Sequence, residues 1–162
     1  MGAGSWESHH AISTLMFRYA ECVDQANFAG LAQLFAHGHL GSPSAASDQG
    51  MTGEQLGRFY AKTNKVHPDG TLRTRHLTTN LMIDIDEPRN TAAARSYYLV
   101  LQATENLPFQ PIVAGRYEDR FDRIDGEWRF AERLVHVDQI GDVSEHLTFD
   151  LSQGNVRFPT GR

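Results

Sequence analysis

Eight histidines and a single cysteine carry much of this chain's capacity to move protons or hold metals. His9-His10 and His37-x-His39 have the closeness of metal ligands. No Cys, His or acidic set completes either at a recognisable spacing, so the expectation is solvated or capping imidazoles and no metal. His76 stands in an extended run, where an imidazole is either a core group bonded to backbone or an acid–base group titrating near neutral pH. Asp24 falls where a helical pattern ends; such an aspartate organises a turn, caps the next helix, or is held for chemistry. Tyr19 lies on an apolar stripe, as core or as hydroxyl donor. Arg133 is late in the chain, an outward-facing salt bridge or a fixed cation. His136-x-Asp138 can face a pocket mouth or a partner subunit. Gly38-x-x-Gly41 does not form a phosphate loop.

The elements that must hold these residues follow from periodicity. Ile12, Leu15, Met16, Tyr19 and Val23 recur at helical spacing and predict an amphipathic helix over His10 to Val23. Asn27 can cap a second, shorter helix with Leu31, Leu34 and Phe35 on one face. Residues 37–49 predict a loop with a short strand at His39 to Gly41. Thr52 with Gln55 is a capping box opening a third helix through Leu56, Phe59 and Tyr60.

Beyond Gly70 the pattern turns to long strands: Leu72 to Asp86, Thr91 to Glu105, Ile112 to Ile124 and Glu127 to Asp138. Asp125-Gly126 between the last two is a hairpin turn. Leu77, Leu81, Ile83 and Ile85 are expected on one side of the first, opposite His76, Thr78, Asn80 and Met82. In the last strand the apolar parity switches from Trp128 and Phe130 to Val135 and Val137, which predicts a bulge near Glu132. Helices followed by an antiparallel meander imply an α+β fold, with a curled sheet and a cavity between its concave face and the helices.

At 162 residues the chain has the length of one domain, and 40% hydrophobic with 22% charged residues is a globular composition. The net charge of -5 without a Lys/Arg cluster argues against nucleic acid or an anionic membrane as partner. No apolar run approaches a membrane span, and the first residues lack the basic flank and apolar stretch of a signal peptide, so the cytoplasm is the expected address. Cys22, being alone, makes no intramolecular disulfide.

Several stretches resemble the SnoaL-like, nuclear-transport-factor-2-like (NTF2-like) superfamily. They are Ile12-x-x-Leu15-x-x-x-Tyr19-x-x-x-x-Asp24, Leu31-x-x-Leu34-Phe35, Thr74-Arg75-His76-x-x-x-Asn80, Gly115-Arg116-Tyr117-x-Asp119-x-Phe121, and Asp125-Gly126-Glu127-Trp128-Arg129-Phe130 with Arg133. The resemblance covers residues 10–140 and implies a cone-shaped domain enclosing a pocket, a single unit over 1–162 with a tail from 141 onward. Within the superfamily the chain is similar to scytalone dehydratase, bile-acid 7α-dehydratase and hexachlorocyclohexane dehydrochlorinase. All three pair an aspartate at the end of the first helix with a histidine on the first long strand, positions that Asp24 and His76 match. Tyr19 matches a tyrosine of the bile-acid enzyme, and Arg133 an arginine late in the sheet. The second active-site histidine of scytalone dehydratase would fall near Ala103, and no histidine lies between His76 and His136.

The resemblance thus implies a cofactor-independent lyase or isomerase acting on a small hydrophobic cyclic, polyketide- or steroid-like molecule. His76 would be base, Asp24 its orienting partner, and Tyr19 and Arg133 the help for developing charge. The alternative is a non-catalytic binder or structural subunit with the same pocket. A homodimer or homotrimer is expected, through a sheet face bearing Tyr97, Leu99 and Leu101.

Overall fold

The computed structural model describes residues 4–43 and 50–150. Helix α1 (Trp6–Asp24) begins one turn earlier than the apolar stripe predicts, because the Ser5 hydroxyl accepts from the Ser8 N–H and caps it. Its Ile12, Met16, Tyr19 and Val23 face the core, as their spacing requires. Asn27 caps α2 (Phe28–Leu34) by accepting from the Gly30 N–H at 2.9 Å. The capping box of Thr52 and Gln55 opens α3 (Gly53–Thr63).

Six strands follow one another in space as β2-β1-β6-β5-β4-β3. They are β1 (His39–Gly41), β2 (Met51–Thr52), β3 (Thr74–Asp86), β4 (Thr91–Gln102), β5 (Gln110–Ile124) and β6 (Glu127–Ile140). The four long strands form the expected antiparallel meander, and the short β1 adds to β6 in parallel. Asp125 and Gly126 both take positive φ, 52° and 83°, as a tight hairpin turn requires. The sheet curls, unclosed, around the helices, and its inner face supplies Val100, Ile112, Tyr117, Phe121 and Phe130 to the core that α1 covers.

Bulges set which side chains look inward. In β6, Ala131 is the extra residue between Phe130, paired with Phe121, and Glu132, paired with Arg120, which is the bulge that the parity switch predicts. In β3 a second one was not expected. Asn80 (φ 52°) and Leu81 together oppose Ser96, so strand parity inverts there. Thr74, His76 and Thr78 therefore share the inner face with Leu81, Ile83 and Ile85. Leu77 is corrected to the outer face, where it is 44% exposed. Among the described residues no helix is long and apolar enough to cross a membrane.

Candidate active site

Asp24 ends α1, and the chain returns past it because the Leu72 N–H donates to the Asp24 carbonyl. That return lays the start of β3 against the helix end. Asp24 Oδ1 then accepts from the Thr74 hydroxyl at 2.6 Å and from His76 Nδ1 at 2.6 Å, while Oδ2 accepts from the His76 backbone N–H at 3.0 Å. Thr74 and His76 are two residues apart on one strand, so both reach the same carboxylate. Burial pushes the Asp24 carboxyl up, but the His76 hydrogen bond and charge, with Thr74 and the backbone donor, outweigh it and hold the group below its ordinary value. An ionised Asp24 fixes the proton of His76 on Nδ1 and leaves Nε2 as the basic edge.

Tyr19 takes a different direction. The helix is regular to Asp24, and five residues turn it by about 140°. Tyr19 accordingly looks into the cavity inside the sheet, whereas Asp24 borders an open groove beside Phe17 and Arg75, and His76 stands on the wall between the two. The Tyr19 and Tyr60 hydroxyls are hydrogen-bonded at 2.7 Å, and burial raises the pKa of both phenols.

Arg133 is not the outward-facing salt bridge that β6 parity alone suggests. The extra residue at Ala131 turns it inward, where it is fully buried. Its Nε and one terminal nitrogen bind both oxygens of Asp119 at 2.7 and 2.8 Å, and the guanidinium lies 4.3 Å from the Tyr19 ring and 4.0 Å from the Tyr117 ring. Burial disfavours its charge, but Asp119 more than offsets this. Arg133 stands behind the tyrosine rings and is not among the residues lining the cavity.

That cavity holds about 180 Å³ and is mostly apolar, with Val100, Val113 and Val135 on its walls and the polar groups of Tyr60, His76 and His146 reaching it. Tyr98 joins them because its neighbour is Gly115: a Cβ there would clash with the His136 carbonyl and meet the Tyr98 ring at 2.8 Å. A larger open groove of about 680 Å³ runs between the start of α1 and the β5–β6 hairpin past His10, Arg18 and Trp128, remote from the Asp24–His76 pair. His39 bonds Glu132, and Asp138 binds Arg116, so neither serves the cavity. Among the described residues no group of three or more His, Cys, Asp or Glu is gathered to hold a metal.

The family model of the SnoaL-like domain matches residues 5–134. The chain belongs to the SnoaL-like family. Three solved structures share the SnoaL-like fold. A protein of unknown function from Mycobacterium tuberculosis is 26% identical, with a TM-score of 0.65 over 84% of this chain and 79% of that one. An NTF2-like protein with a cystatin-like fold from Novosphingobium aromaticivorans is 18% identical, with a TM-score of 0.66 over 86% of each chain. A candidate scytalone dehydratase from the same organism is 24% identical, with a TM-score of 0.63 over 84% of this chain and 87% of that one. Comparison with curated proteins finds no match.

Of the four residues singled out in sequence, this SnoaL-like domain brings Asp24 to His76, places Tyr19 across the cavity, and sets Arg133 behind the rings. Thr74, Tyr60, Tyr98 and His146 join them without having been read as site residues. Thr74 was within reach of sequence reasoning, since period two sets it on the face of His76. Tyr60 lies on the stripe of a recognised helix. His146 carries no such signal.

Proposed function

We propose that this chain is a cofactor-independent lyase or isomerase that moves a proton on a compact hydrophobic ring molecule, with His76 as base and Asp24 as its orienting partner. The observation that carries this reading is the 2.6 Å bond from His76 Nδ1 to Asp24 on the wall of an apolar cavity. A carboxylate so placed stabilises the imidazolium formed when Nε2 takes a proton. In an elimination the proton comes from the carbon next to a carbonyl, and its electron pair passes through an enolate into the new double bond. The neighbouring C–O bond breaks with its electrons, and His76 returns the proton to the departing oxygen as water. In an isomerisation the same proton returns to another carbon. The hydroxyls of Tyr19 and Tyr60, kept protonated by burial, support the enolate oxygen. Arg133 acts through the tyrosine rings that it backs. A volume of about 180 Å³ falls below the roughly 300–1,000 Å³ of pockets for drug-sized molecules, which favours one or two rings over a steroid.

The test is a panel of cyclic β-hydroxy ketones, whose loss of water gives a conjugated enone followed by ultraviolet absorbance. Asp24→Asn and His76→Ala are expected to lower turnover by roughly 10²–10⁴-fold while ligand binding persists. Unchanged turnover in both rejects the mechanism. Binding without turnover in the unmodified protein favours the non-catalytic binder instead.

The outer face of the sheet supports a homodimer or homotrimer. Leu77, Met82 and Tyr97 are 44%, 53% and 54% exposed there, beside half-buried Leu99 and Leu101. Light scattering at micromolar concentration should give a multiple of the chain mass; a monomer refutes the assembly.

A further inference from the structure

One polar group of the cavity has no part in the proton transfer just described. His146 belongs to the stretch after β6, where Val143, His146, Leu147 and Phe149 close one side of the cavity. The residue is 9% exposed, and its Nδ1 is buried with no hydrogen-bond partner among the described residues. Buried polar atoms are almost always partnered, and leaving one bare is destabilising, so an imidazole without a hydrogen-bond partner on a cavity wall points to a ligand.

The backbone around it is firmly held. The Lys65 N–H donates to the His146 carbonyl at 2.8 Å, and the Thr148 N–H donates to the Thr63 carbonyl at 3.0 Å. His67 and the Gln102 amide both bond the Glu145 carbonyl at 3.0 Å. The ring therefore stands where the main chain puts it, not where a side-chain partner draws it. The titratable groups around it are His76, Asp24 and His67, with the phenols of Tyr19, Tyr60, Tyr98 and Tyr117 on the same cavity. Burial and the two histidines push its pKa down to about 4 against the opposing pull of Asp24, so near neutral pH the ring is uncharged. A neutral imidazole accepts one hydrogen bond and gives one, which suits it to polarise a carbonyl or hold a hydroxyl but not to act as an acid.

We propose that His146 is a ligand-recognition residue, a neutral imidazole that hydrogen-bonds a second oxygen function of the molecule whose proton His76 moves. The inference rests on the cavity being the substrate site. It narrows the substrate class to a compact cyclic molecule with two oxygen functions, one at the position of proton transfer and one reached by His146.

The experiment is an imidazole nitrogen NMR titration of the ¹⁵N-labelled full chain near neutral pH with 2-naphthol and naphthalene, a pair differing by one hydroxyl. The His146 ring nitrogens should shift with 2-naphthol and not with naphthalene, and 2-naphthol should bind roughly three- to tenfold tighter. His146→Leu should abolish that ratio, and His146→Gln, which keeps a donor and an acceptor, should retain part of it. The proposal is overturned by His146 signals that stay still while 2-naphthol binds, by an unchanged ratio in His146→Leu, or by failure of both compounds to bind. The ratio is read without turnover. An intact ratio in Asp24→Asn together with unchanged turnover would reject the proton transfer and leave His146 standing.

Discussion

Two carboxylates on the inner side of this fold, Asp119 and Asp24, each fix a nitrogen partner and end in opposite circumstances. The Asp119–Arg133 pair is sealed: both side chains are wholly buried, and the rings of Tyr19, Tyr117 and Phe130 pack over the guanidinium. The Asp24–His76 pair keeps 12% and 9% exposure and stands between a groove and a cavity. Two carboxylate–nitrogen pairs thus have different uses. Where every face of the partner is filled the pair is scaffold, and where one ring edge stays open it can react.

The contrast breaks first, and with the largest effect, at the sealed pair. Arg133→Met strands Asp119 in the core and should cost about 3–5 kcal/mol in denaturant unfolding, while Arg133→Met with Asp119→Leu should recover most of it. A loss below about 1 kcal/mol in the single variant would remove the distinction. The open end should respond to acid. Since His146 titrates at about 4 in the fold against 6.5 ordinarily, the unfolded chain takes its proton first on acidification. Stability therefore falls as pH drops through the ordinary histidine range and levels below the folded value. His146→Leu should flatten the stability curve by on the order of 3 kcal/mol between pH 7 and pH 3. Parallel curves for the two proteins would contradict the buried neutral ring. The smallest effect should come from Tyr60→Phe. It strips Tyr19 of its hydroxyl partner and should cost about 1 kcal/mol in thermal or denaturant melts, with the fold intact by circular dichroism.

What was legible in the sequence is what local pattern encodes. The stripe of α1, the Asn27 and Thr52 caps, the Asp125-Gly126 turn and the bulge before Glu132 each depend on residues within one element. The side of Leu77 was misread because the Asn80–Leu81 bulge inverts a strand whose residues alternate plausibly in either register. Arg133 was misread through the very bulge that was foreseen, since one inserted residue carries everything after it to the other face. The adjacency of Asp24 and His76 spans 52 positions and was accessible only through family resemblance. His146 was not legible at all: backbone bonds to distant segments aim it, and they leave no period in the sequence. Residues 151–162 of the tail lie outside the described residues.

The strap that carries His146 has one more consequence. The bonds from Lys65, Thr148, His67 and Gln102 all end on main-chain oxygens, which every amino acid possesses. The anchoring therefore does not depend on which side chain occupies position 146, and that side chain shares no hydrogen bond with Asp24, Thr74 or His76. On the proposed roles of His76 and His146, reaction and selectivity would be inherited separately, so a descendant or an engineered version of this domain could exchange one ligand for another while keeping the Asp24–His76 pair.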